Sequence, residues 1–78
     1  MARWEITNEW IIRGDSDRVD GIRFTINDSE TGDERELVAE AEETPVKRIR
    51  QVTHRYLNDV VPPRRVRLHA GRVKAVER

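Results

Sequence analysis

The chain has no cysteine, and its 78 residues include only one Met, one Phe, one Tyr and two Trp. Without thiols there is no disulfide framework, no thiolate nucleophile and no thiolate metal site. No stretch approaches the ~18 consecutive apolar residues of a membrane span. The start, Met1-Ala2-Arg3-Trp4-Glu5, lacks the apolar run of a secretion signal. The expected location is therefore the cytoplasm. Serine and histidine are scarce as well. A Ser-His-acid arrangement would have to draw on Ser16 or Ser29, both in acidic loops where an oxyanion is poorly stabilised. His54 and His69 have no companion His or Cys at ligand spacing. There is no Gly-rich phosphate loop. The sequence thus predicts no catalytic residue, no cofactor and no metal ligand set, and a protein that is not an enzyme.

Charge is what the chain has in quantity, at 38% of residues, and it is segregated along the length. Met1 to Glu43 carries 13 acidic and 5 basic residues, a net of −8. Thr44 to Arg78 carries 2 acidic and 10 basic residues, a net of +8, so the formal total is zero. Such a split points to a charged partner or to one half meeting the other. The basic residues are 13 Arg against 2 Lys, which favours planar, bidentate contacts to carboxylates or phosphates. The acidic loop Asp15 to Gly21 does not satisfy a calcium loop. Its third Asp and its Gly each fall one place late, and Ile26 stands where a bidentate Glu belongs. Arg13-Gly14-Asp15 and the sequon Asn27-Asp28-Ser29 have no role without a secretory route.

Periodicity separates the elements. Trp4, Ile6, Trp10 and Ile12 alternate, predicting a strand with a break near Asn8-Glu9. Ile22, Phe24 and Ile26 alternate with Arg23 and Thr25 in the clearest strand of the chain. Residues 34–42 have strong helix propensity. The turn before them, Asp28 to Gly32, nevertheless suits a type I turn closed by a left-handed Gly, which favours a hairpin and a strand. In that strand Leu37, Ala39 and Ala41 share one face, and Glu36, Val38, Glu40 and Glu42 the other. Thr44-Pro45 predicts a helix start, with Thr44 as the cap and Pro45 at the first helical position. Val46, Ile49, Val52, Tyr56, Leu57 and Val60 follow at helical spacing until Pro62-Pro63. Residues 65–68 and 72–76 flank His69-Ala70-Gly71 as a second hairpin, with Gly71 at positive φ.

One α+β domain spans residues 1–78, with four or five strands in a small antiparallel sheet and one amphipathic helix across one face. The predicted core is Trp4, Ile6, Ile22, Phe24, Ile26, Leu37, Ile49, Val52, Tyr56, Leu57, Val60, Val66 and Leu68. A domain of this size buries only roughly 60–65% of its unfolded surface, so dimerisation is one route to added stability.

Lys47, Arg48, Gln51, His54, Arg55 and Asn58 fall on the helix arc opposite the apolar one, with Arg64 and Arg65 following. This basic face is the candidate contact surface of a small protein-interaction or regulatory module, with a protein partner or a second copy bound there. The alternative is a nucleic-acid-binding domain using helix 45–59 and the Arg-rich hairpin after it, through phosphate attraction and Gln or Asn at base edges. Against both stands internal pairing, in which Arg67 or Arg72 lies across from Glu36, Glu40 or Glu42 in the sheet. No membrane contact and no small-molecule substrate is indicated. The strand–hairpin–helix order and the turn from Asp28 to Gly32 resemble the small arm-type DNA-binding domains of phage-type integrases, over one hairpin and a helix start. The resemblance implies a sheet that reads DNA with basic residues. This hairpin carries Glu34, Glu36, Glu40 and Glu42 instead, so no residue role is carried over.

Overall fold

Residues that alternate at period two become strands, and the stretch at helical spacing becomes a helix. In a computed structural model the order is β1 (Trp4–Arg13), β2 (Val19–Asp28), β3 (Glu34–Glu42), α1 (Val46–Tyr56), β4 (Arg65–His69) and β5 (Arg72–Glu77). A short 3-10 turn, Asp15–Asp17, links β1 to β2. The structure describes residues 3–58, 61–70 and 72–77, with backbone alone for 74–77. Among the described residues the strands form one sheet whose spatial order is the chain order, β1-β2-β3-β4-β5. The α+β architecture is the one expected, and residues 34–42 are a strand.

The sheet is not antiparallel throughout. β1–β2, β2–β3 and β4–β5 pair antiparallel, but β3 and β4 run parallel, with Ala39 opposite Val66 and Ala41 opposite Leu68. The cause is the connection. A hairpin reverses the chain, whereas α1 carries it back along the sheet so that β4 starts from the same end as β3.

β1 also differs from expectation. It is continuous, and an extra residue at Thr7 takes up the irregularity, since the register passes from Ile6 opposite Ile26 to Asn8 opposite Thr25. Such a bulge reverses which residues face which side. Trp4 and Ile6 face α1, and beyond the bulge it is Glu9 and Ile11 that do so, opposite Phe24 and Ile22. Trp10 and Ile12 are thereby turned to the uncovered face of the sheet.

The core lies between the sheet and α1. Ile22, Phe24, Ile26, Leu37, Ala39, Ile49, Val66 and Leu68 are fully buried, with Val52, Leu57 and Trp4 nearly so. Ile6 and Tyr56 pack against this cluster while only partly buried, and Val60 lies outside the described residues. Truncating Phe24 to Ala would cost about 3–5 kcal/mol. Arg35 caps one end of the core. Its guanidinium sits 5.3 Å from the Trp4 ring centroid and donates to the Pro62 carbonyl at 3.3 Å.

Local details follow from backbone chemistry. Gly32 takes φ 79, closing the β2–β3 turn as its sequence predicts. Thr44 does not cap α1. Its hydroxyl donates back to the Glu42 carbonyl at 3.0 Å, and Pro45 occupies the N-cap with φ −64 and ψ 147. With ψ of Pro45 itself extended, the helix begins one residue later, and the Pro45 carbonyl accepts from the Arg48 and Ile49 N–H groups. Gly71 lies outside the described residues, and Ala70 beside it adopts φ 50.

The β2–β3 turn is clasped to β1 by Asp28, which is 1% exposed. Arg3 Nε donates to both Asp28 carboxylate oxygens at 2.9 Å, and Arg3 Nη2 lies 2.7 Å from Oδ2. The Glu30 N–H donates to the same carboxylate at 2.9 Å. The Ser29 N–H and hydroxyl both donate to the Arg3 carbonyl, at 2.9 and 2.7 Å. Hydrogen bonds from Arg3 first, then from the Glu30 N–H and the Thr31 hydroxyl, hold the Asp28 carboxyl far below the usual carboxylate range, against the opposing effect of burial. A carboxylate depressed in the folded state adds stability that is present above its unfolded pKa and is lost as pH falls below it. Urea unfolding should therefore give a stability that is level above about pH 5 and declines below about pH 4. Asp28→Asn should lower stability at pH 7 and flatten that decline. An unchanged acid limb in the variant would remove Asp28 as its source.

Candidate interaction surface

Alternation sends the charged residues of the inner strands to the face that α1 does not cover, and there acid meets base. β3 contributes Glu36, Val38, Glu40 and Glu42, flanked by Arg23 of β2 and by Arg65, Arg67 and His69 of β4. Glu40 lies 3.1 Å from Arg65 Nε in an ion pair and accepts from Arg67 Nε at 3.3 Å. Glu42 lies 3.0 Å from His69 Nδ1, and Glu36 lies 3.7 Å from Arg23 Nε. The anticipated pairing of Arg67 across from Glu40 is present. On the helix side, Arg50 reaches Glu9 of β1, with Nη2 2.6 Å and Nε 3.1 Å from Oε1. That hydrogen bond holds the Glu9 carboxyl below, and the Arg50 guanidinium above, their ordinary pKa values.

The outward face of α1 is different. Lys47, Gln51, His54, Arg55 and Asn58 are exposed, and Arg48 is half-buried. Among the described residues, Lys47, Arg48 and Arg55 form no ion pair. Arg48 Nη1 approaches only Gln51 Oε1, at 3.5 Å. Helical geometry puts Arg50 on the flank toward β1 and Arg55 on the flank toward β5. There Arg55 borders a groove of about 230 Å³ with Val52, Tyr56 and Val73.

The eight candidate residues therefore do not form one patch. Lys47, Arg48, Gln51, His54, Arg55 and Asn58 share the helix face. Arg64 is exposed just ahead of β4, where its carbonyl accepts from the Val38 N–H at 2.9 Å. Arg65 lies on the opposite face of the sheet and is held by Glu40. Sequence reading passed over Glu9 as the partner of Arg50; Trp10, which stands outside the predicted core, is the exposed one of the two Trp. Period-two counting carries Trp10 into the same face as Trp4, and the only available signal of the bulge was the polar run Thr7-Asn8-Glu9.

Elsewhere a cleft of about 620 Å³ opens between Arg18, Val19 and the β3–α1 turn at Glu42 to Pro45. Ser29 is committed to the Arg3 carbonyl, and Ser16 sits in an exposed turn at φ 58. Among the described residues no cluster of His, Asp or Glu is arranged to hold a metal ion. No described helix is long and apolar enough to cross a membrane.

Because Glu40 and its Arg partners are partly exposed, Glu40→Ala should lower stability by no more than about 1 kcal/mol in urea unfolding at low salt. The difference should shrink in ~0.5 M NaCl. A loss several times larger would show that the β3–β4 charges hold the fold in place of the apolar core. Comparison of the chain with protein-family models, with curated proteins and with solved structures found no match.

Proposed function

We propose that this domain is a non-enzymatic protein-interaction module that uses the outward face of α1 to take a carboxylate-rich segment of a protein partner. One contrast carries the reading. Arg3, Arg18, Arg23, Arg50, Arg65 and Arg67 each hold a carboxylate of this chain, whereas Lys47, Arg48 and Arg55 hold none among the described residues. Arg13, Arg35, Arg64 and Arg72 form no ion pair there either, but each stands on a different segment, so the helix is the one described element that gathers several unpaired basic side chains. The groove between Val52, Tyr56 and Val73 lies beside Arg55 and is sized for one apolar side chain. An anchor in a pocket with charges around it is the usual anatomy of a protein contact. A phosphate backbone has nothing to place in that groove, which favours protein over nucleic acid as the ligand.

The test uses two probes on the full chain: an acidic peptide of Glu and Asp with one central Leu, and a DNA or RNA oligonucleotide of matched charge. The peptide should shift the amide resonances of residues 47–58, and Arg48→Glu with Arg55→Glu should abolish the effect. Replacing the Leu by Ser should weaken binding by about tenfold, the worth of one buried aliphatic anchor. Retention of the oligonucleotide in preference to the peptide, with affinity falling steeply in salt, would replace this reading with nucleic-acid binding. Failure of both probes at ~50 mM salt would end the assignment of the helix face.

A further inference from the structure

β1 stands at the end of the strand order, so among the described residues one side of it has no neighbouring strand. It is 10 residues long, and α1 packs mainly against β2 and β3, which leaves that outer edge uncovered by any other described element. An edge of this kind presents a row of unpaired N–H and C=O groups. Natural sheets guard such edges with Lys, Pro or charges aimed at the edge. The segment Trp10-Ile11-Ile12 has none of these. Trp10 is 49% exposed on the uncovered face, and Ile11 is 38% exposed on the helix face. Two adjacent large apolar side chains on opposite faces of one edge match a strand added beside it, which would cover both.

We propose that two copies of this chain join edge to edge through β1, antiparallel, with Ile11 opposite Ile11 of the second copy and Glu9 opposite Arg13. The two-fold axis is perpendicular to the sheet, so each contact occurs twice and every side chain keeps its face. The sequence of the strand selects the register. Centring on Glu9 sets Glu9 against Glu9, and centring on Arg13 sets Arg13 against Arg13, both like-charge contacts. Centring on Trp10 sets Glu9 against Ile11 and Asn8 against Ile12. Centring on Ile12 sets Arg13 against Ile11 and Trp10 against Gly14. Only the Ile11 centre sets Trp10 against Ile12, Ile11 against Ile11, and Glu9 against Arg13. Both charged groups have bonding capacity left. Glu9 binds Arg50 but has free lone pairs, and Arg13 commits Nη1 to the Asp17 carbonyl at 3.0 Å.

This surface is separate from the helix face and does not rest on the function proposed for it. The experiment is sedimentation equilibrium of the full chain over about 5–500 μM, where a small interface dissociates. The wild type should show a monomer–dimer equilibrium. Glu9→Arg and Arg13→Glu should each raise the dimer dissociation constant by about tenfold, since each creates two like-charge contacts. An equimolar mixture of the two variants should recover dimer, because every charged contact in the mixed pair is again opposite in sign. Ile11→Lys should be monomeric while keeping the wild-type circular dichroism, a check that holds even if loss of the Glu9–Arg50 bridge unfolds Glu9→Arg. A wild type that is strictly monomeric throughout would overturn the proposal. So would an Ile11→Lys variant that dimerises as well as the wild type, or folded charge variants whose mixture forms no mixed dimer.

Discussion

Glu40 marks the seam where the two halves of this chain meet. It stands on β3, the last strand of the acidic half, and binds Arg65 and Arg67 on β4, the first strand of the basic half. The seam exists because α1 returns the chain in the same direction and lays β4 beside β3. With one helix for one sheet, only one face can be covered. The apolar positions of each inner strand must take that face, and their charged neighbours are then forced onto the other. Acidic β3 lies between Arg23 on one side and Arg65 and Arg67 on the other, so a charge segregated in sequence cancels in space. Exposed pairs of this kind contribute about 0–1 kcal/mol each, far less than the apolar contacts beneath them. Their effect is selective: β4 slipped by one residue would lose these pairs and place its apolar residues on the wrong face.

The bulge at Thr7 shapes the molecule as much as the seam does. Without it, Trp10 and Ile12 would continue the row begun by Trp4 and Ile6 on the helix side. With it, Glu9 arrives on that side and reaches Arg50, tying the edge strand to the helix. At the start of β1, Arg3 and Asp28 tie the strand to the turn beyond β2. The outermost strand is thus secured at its start and near its middle by ion pairs, while Trp10 and Ile11 in its second half stay exposed.

Most of this architecture was legible because β2 and β4 alternate apolar with polar residues and α1 has a clear apolar arc. The strand at residues 34–42 was readable only through the turn before it, since its Glu and Ala content favours a helix. Gly32 at positive φ settled that competition in favour of the hairpin. Three features were out of reach, each because it depends on the fold as a whole. The parallel β3–β4 pair depends on where the crossover lands. The bulge depends on register against β2. The division of the basic residues between a paired sheet face and an unpaired helix face depends on both. Arg65 shows this most plainly, because it follows the helix in sequence and yet belongs to the other side of the sheet.

The separation of the two surfaces has a consequence for how they would work together. A two-fold axis perpendicular to the sheet keeps both helices on one side of a continuous sheet. The basic faces of the two α1 helices would then point the same way, and the β1 edges would lie between them, away from either groove. Each copy would present Lys47, Arg48 and Arg55 to the same partner surface. Paired sites held at fixed spacing gain avidity without any new contact, provided that the partner repeats its acidic segment at a matching interval. Three cations and one small groove make a weak site alone, and duplication in one plane is the arrangement that would turn it into a selective one.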